Sequence, residues 1–294
     1  MDLVRRATAR VRGARHVRDG RPCQDEVGAL SRSDLLAVAV ADGHGTSIHG
    51  DVGARLAVAV ALSALVRFVD DLGEGPRSLP EIQRYAADQL RRHVTREWAE
   101  RVRARSEDLV AHGSTLIFAL ATPQFLLLGQ IGDGDLLLVD RDGARAPLPP
   151  EPLAFADETT SLCQPEAWTA LRVLALPRPQ RGTLLLLATD GYSKSYEPEG
   201  FLQVGPDYLQ LIEADGFASV AGVLPAFLSE ITERGAGDDI AVALVFWTEP
   251  EAAMAEPVEP SDSATEVPPL DPPEATDEAI ADPVPETEDP HEQA

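Results

Sequence analysis

Four aspartates in this sequence stand where an apolar run meets a glycine or a second acid: Asp42-Gly43, Gly132-Asp133-Gly134, Asp190-Gly191 and Gly237-Asp238-Asp239. A carboxylate at a strand end, beside a turn that permits close backbone approach, suits a hard divalent cation such as Mg²⁺ or Mn²⁺, whose preferred ligands are oxygens. Each dipeptide alone is also an ordinary turn signal. Taken as a set, the acids are scattered over two hundred residues, so an EF-hand, which gathers its ligands in one twelve-residue loop, is excluded. An acidic interaction module stays open on charge alone. A metal-dependent nuclease or nucleotide hydrolase could use the same carboxylates, but the chain has no Walker-type Gly-Lys-Ser/Thr loop.

Scattered ligands need strands that end together. The run 35–41 (LLAVAVA) reads as a buried strand stopping at Asp42. Asp51 to Val69 has helical length, and a second helix follows the Gly/Pro break, begun by Ser78 or Pro80, with Ile82, Tyr85, Ala86, Leu90, Val94 and Trp98 at three- and four-residue steps. Ser114 to Ala121, Phe125 to Ile131 and Leu136 to Val139 read as a strand meander, with Arg141-Asp142-Gly143 as the next hairpin turn. Thr183 to Ala188 is a strand capped by Asp190-Gly191. A helical region from Tyr208 to Glu233, broken near Gly216, precedes a last strand, Ile240 to Phe246. Strands flanking pairs of helices predict an α+β fold: a layered α-β-β-α sandwich with two largely antiparallel sheets.

The net charge of -24 disfavours nucleic acid as a partner, since such binding neutralises phosphates with Lys and Arg. Fifteen of the acids and ten of the 24 prolines fall in residues 249–294, which hold no Lys or Arg. That composition predicts a disordered acidic tail following a domain over residues 1–248. Cys23 and Cys163 are too few for a disulfide framework. No apolar run is read as reaching the roughly 20 residues of a membrane span, and no secretory core follows the Arg-rich start, so the expected location is cytoplasmic.

The order and wording of the acidic motifs resemble the protein phosphatase 2C family, metal-dependent serine/threonine phosphatases, in a divergent bacterial branch. The resemblance runs from about Gly13 to Phe246. It is carried by Pro22-Cys23-Gln24-Asp25, VADGHG at 40–45, GSTL at 113–116, IGDGDLLLVD at 131–140, LLLLATDGYSKS at 184–195 and GAGDDIAVALV at 235–245. It implies that Asp42 bridges two Mn²⁺ or Mg²⁺ ions with help from the Gly43 carbonyl, that Asp190 and Asp238 are further ligands, that Asp25 acts through bound water, and that Asp133 is the candidate ligand of a third ion. Gln24 stands where many members carry Glu, and Asp239 where Asn is usual.

The family's chemistry is hydrolysis by a water activated between two ions, with no covalent phosphoenzyme. His44 matches the place of a proposed general acid, a role set against a plain orienting hydrogen bond. Family members carry an arginine before the first acidic motif that binds substrate phosphate. Arg21 and Arg18 lie near that place without its common spacing; Arg21 is preferred, and His16 is a second possible phosphate contact. Glu158-Thr159-Thr160-Ser161-Leu162 departs from the commoner pattern and is read as a loop packing over the sheet, with shaping of the substrate approach as the alternative. The expected substrate is a phosphorylated protein, the expected counterpart a serine/threonine kinase, and the expected state a monomer with neither nucleic acid nor membrane as partner. The alternative function is a phosphoprotein- or kinase-binding pseudophosphatase.

Overall fold

The computed structural model describes residues 4–44, 47–73, 75, 77–149 and 159–248; Glu158 and the acidic tail from residue 249 lie outside them. Two five-stranded sheets carry the fold, and every strand pair in them is antiparallel. One sheet runs β1 (Val4–Val11), β10 (Ile240–Trp247), β9 (Leu184–Ala188), β6 (Asp135–Asp140), β7 (Gly143–Arg145). The other runs β2 (Asp25–Arg32), β3 (Leu35–Asp42), β4 (Leu116–Ala121), β5 (Phe125–Ile131), β8 (Arg172–Pro177).

The strands are apolar throughout because both faces of each sheet are covered. Alternation decides which residue faces which layer. In β3, Leu36, Val38 and Val40 point between the sheets and join Leu185, Leu187, Ala241 and Val245 of the opposite sheet. Leu35, Ala37, Ala39 and Ala41 face the helices α2 (Gly50–Leu72), α3 (Leu79–Tyr85) and α4 (Arg91–Arg103). On the far side, Leu184, Leu186, Val242 and Leu244 pack under α6 (Pro198–Asp215) and α7 (Phe217–Arg234). The layers are therefore helix, sheet, sheet, helix, as the sequence predicts.

Alanines 54, 57, 61 and 64 give α2 a small-residue side that lies close on the sheet. By length and composition its 23 residues suffice to cross a membrane, which corrects the sequence reading, but half of its apolar window is buried inside the protein. Trp98 of α4 is fully buried and donates its indole N–H to the Gly53 carbonyl at 3.0 Å, fastening the two helices.

Three further expectations change. β4 and β5 pair, but β6 leaves the meander and pairs with β9 in the other sheet. The crossing is made at Gly132, whose φ of +97° is left-handed and suits glycine. α6 starts at Pro198, ten residues before the expected Tyr208, with the proline in its first turn. β1 and β2 were not resolved from periodicity, since arginines interrupt the apolar positions of VRRATARV. Cys23 and Cys163 are free thiols.

Candidate active site

The acidic motifs all fall at one end of the sandwich. Asp25 opens β2 and Asp42 closes β3, and the two are partners in the strand register. Asp133 sits in the turn between β5 and β6. Asp190 begins the short helix α5 (Asp190–Ser193) straight after β9, and Asp238 immediately precedes β10. Asp42, Gly43, Asp133, Asp190 and Asp238 line one cavity of about 180 Å³ together with His16, Gln24, His44, Thr159 and Lys194.

Backbone contacts hold the loops together. Gly191 lies on the Asp239 carbonyl so closely that a β-carbon there would overlap it, and Gly43 lies as closely on Gly50. Asp239 acts as a clamp: its carboxylate accepts the Gly13 N–H at 2.6 Å and the Gln24 N–H at 2.6 Å, and meets His16 Nδ1 at 2.7 Å. This joins the start of the chain to the 237–239 turn. The Thr189 hydroxyl donates to Asp25 at 2.5 Å across the two sheets. The Asp42 N–H donates to Thr115 Oγ1 at 3.0 Å, and the Thr159 hydroxyl donates to Asp133 at 3.1 Å.

So many carboxyls in a buried space oppose one another's ionisation. Burial first, then the charges of Asp190, Asp238 and Asp133, pushes Asp42 up to about 7 despite a hydrogen bond to Asp25. Burial and then Asp42 raise Asp25 well above the usual carboxylate range. Burial and Asp133 push Asp190 up to about 6, while Lys194 acts against the rise. Burial lowers the His44 imidazole below its ordinary value, outweighing Asp133. For Lys194, partial burial opposes the charge, but its bond to Asp190 and the fields of Asp190, Asp133 and Asp42 leave the ammonium above its ordinary value.

These residues fit divalent cations. Of the four aspartates lining the cavity, only Asp190 is ion-paired with a basic side chain among the described residues. The donors are carboxylate and carbonyl oxygens, the set that suits Mg²⁺ or Mn²⁺. Among the described residues no three acidic or histidine side chains close into a preformed ligand cage, so water would complete the shells, as Mg²⁺ in particular prefers.

The structure brings together Asp42, Gly43, His44, Asp133, Asp190, Asp238 and His16. Asp25 is not on the cavity wall but directly behind Asp42, buried. Arg21 is next to the wall: its guanidinium donates to Gln24 Oε1 at 2.8 Å, and Gln24 lines the cavity. The 159–162 segment packs beside the cavity. Thr159 lines the cavity, while Leu162 is buried and its N–H donates to the Ser114 carbonyl at 3.0 Å. Sequence reasoning missed Lys194, Thr189 and the clamp made by Asp239. A signal for the first was present: Lys194 is the only lysine among 25 basic residues.

Comparison with known proteins agrees with this geometry. The family profile described as Protein phosphatase 2C matches residues 12–229. No curated protein matches the sequence. Among solved structures, the serine/threonine phosphatase of S. agalactiae superposes with a TM-score of 0.58 at 15% identity, over 84% of this chain and 100% of that one. The Mycobacterium tuberculosis serine/threonine phosphatase PstP/Ppp gives 0.56 at 20% identity, over 84% and 99%. The catalytic domain of PstP in complex with two manganese ions gives 0.56 at 20% identity, over 84% and 99%. At such identities the superpositions establish the fold, and the profile establishes kinship.

Proposed function

Because this chain belongs to the protein phosphatase 2C family, the metal-dependent protein serine/threonine phosphatases, we propose that the Asp42 cavity hydrolyses phosphoserine and phosphothreonine on proteins with two divalent cations. The observation that carries this reading is the convergence of Asp42, Asp133, Asp190 and Asp238 from separate loops onto one small cavity. Asp42 and the Gly43 carbonyl would hold both ions, and Asp190 and Asp238 would complete the protein's share, with Asp25 acting behind Asp42 through water. When bound, Mn²⁺ or Mg²⁺ supplies a water of lowered pKa and offsets charge on the phosphoryl oxygens.

The remaining wall residues handle substrate and protons. A neutral, partly buried His44 suits an orienting hydrogen bond to water or to the leaving oxygen. With Nδ1 committed to Asp239, His16 has Nε2 left for a phosphoryl oxygen. Arg21 fixes the Gln24 amide at the cavity wall, and that amide group also donates to the Ser47 carbonyl at 3.1 Å. Its contribution to phosphate is thus to position Gln24.

The physiological substrate in this reading is a phosphoprotein made by a serine/threonine kinase in the cytoplasm, and the chain acts as a monomer. The decisive assay is phosphate release from a phosphothreonine peptide by purified full-length chain with Mn²⁺, Mg²⁺, Ca²⁺ or chelator. Release with Mn²⁺ or Mg²⁺ that chelator removes is expected. Binding of the peptide and Mn²⁺ with no release would overturn the reading in favour of a pseudophosphatase.

A further inference from the structure

The chain uses arginine 24 times and lysine once, and the one lysine reaches into the acidic cavity. Lys194 follows Asp190 by four residues across the short helix α5, and its ammonium is ion-paired to the Asp190 carboxylate. Asp190 in turn lies within hydrogen-bonding reach of Asp133. The acidic wall is therefore divided. At the Asp133–Asp190 corner a covalently attached cation is present, whereas among the described residues neither Asp42 nor Asp238 is ion-paired with a basic side chain.

An ammonium is a compact point charge on a flexible stem, while a guanidinium is a planar fork. The first can take the place of a small cation between two carboxylates; the second cannot do so without displacing them. In a chain that otherwise relies on arginine, a lysine at this one position is what that geometry requires. The side chain is more than half exposed, so it enters from the mouth of the cavity and is not part of the core.

Resting on the metal-dependent reading above, we propose that the Lys194 ammonium is a resident cation of the active site, occupying the Asp133–Asp190 corner in place of a divalent ion. The chain then holds no third ion, and the two ions of the reaction stay with Asp42, Gly43, Asp238 and the oxygen of Asp190 that Lys194 does not occupy. Asp133 then favours the ammonium through its charge instead of ligating an ion of its own.

The test is the number of Mn²⁺ ions bound per full-length chain, read by titration calorimetry and by the free-Mn²⁺ electron paramagnetic resonance signal. Lys194→Gln should bind one ion more than the wild type, and Asp133→Asn should remove that extra ion in the Lys194→Gln background. Asp133→Asn in the otherwise native chain should leave the count unchanged. Lys194→Arg should bind the extra ion as Lys194→Gln does, since a guanidinium does not fit the corner. Equal counts for the wild type and Lys194→Gln, or loss of an ion from the native chain on Asp133→Asn, would overturn the proposal while leaving the metal-dependent reading standing. Absence of Asp42-dependent Mn²⁺ binding in the native chain would instead sink that reading, and this proposal with it. Thermal melts of each variant confirm that the counts refer to folded protein.

Discussion

At the scale of single residues, function and stability pull against each other in Asp42. Its folded-state pKa of about 7 lies above the unfolded value of roughly 3.9. Below about pH 4 both states are protonated and its contribution is fully present. As pH rises from there through 7, the unfolded chain releases its proton first, so stability is lost across that window. Asp190, pushed to about 6, acts in the same direction. The melting temperature of chelated protein should therefore fall between about pH 4 and 7, and Asp42→Asn should flatten the fall. An unchanged slope in that variant would show that Asp42 is not the strained group. His44 gives a second residue-scale outcome. If it orients water, His44→Gln should lower kcat by about 10²-fold for p-nitrophenyl phosphate and for a phosphothreonine peptide alike. A loss confined to the peptide, whose alkoxide leaves poorly, would make His44 the proton donor instead.

At the scale of elements, the site depends on loops that touch through glycine. A β-carbon at Gly191 would overlap the Asp239 carbonyl, so Gly191→Ala must push the start of α5 away from the 237–239 turn. Overpacking of this kind costs about 1–3 kcal/mol, and separating Asp190 from Asp238 should cost about 10²-fold in turnover. Full activity with a native melting temperature would show that the two loops adjust independently. The same scale shows what could be read without coordinates. Asp42, Asp133, Asp190 and Asp238 were legible because each ends or begins an apolar run at a turn, and their meeting follows once those runs become neighbouring strands. The switch of β6 into the second sheet was not legible, since its leucines fit either sheet equally well. The hydrogen bond from Arg21 to Gln24 was not legible, because a sequence shows proximity along the chain and not which side chains meet. Lys194 escaped because its partner is a residue already assigned to metal.

At the scale of the whole molecule, the described residues form a sandwich with three apolar layers, and residues 249–294 lie outside them. Those residues carry fifteen of the acids and no basic residue, and we take them to be dispensable for catalysis. Ending the chain after Thr248 should leave kcat/KM for p-nitrophenyl phosphate and the melting temperature unchanged; a clear drop in either would show that the tail belongs to the catalytic unit. Whether the acidic end of the sandwich is a divalent-cation phosphatase centre is decided by phosphate release from a phosphothreonine peptide by Asp42→Asn, measured beside the native chain in saturating Mn²⁺. A folded variant with no turnover is expected, because a neutral amide does not bridge two cations as a carboxylate does. Turnover at the native rate in that variant would contradict it.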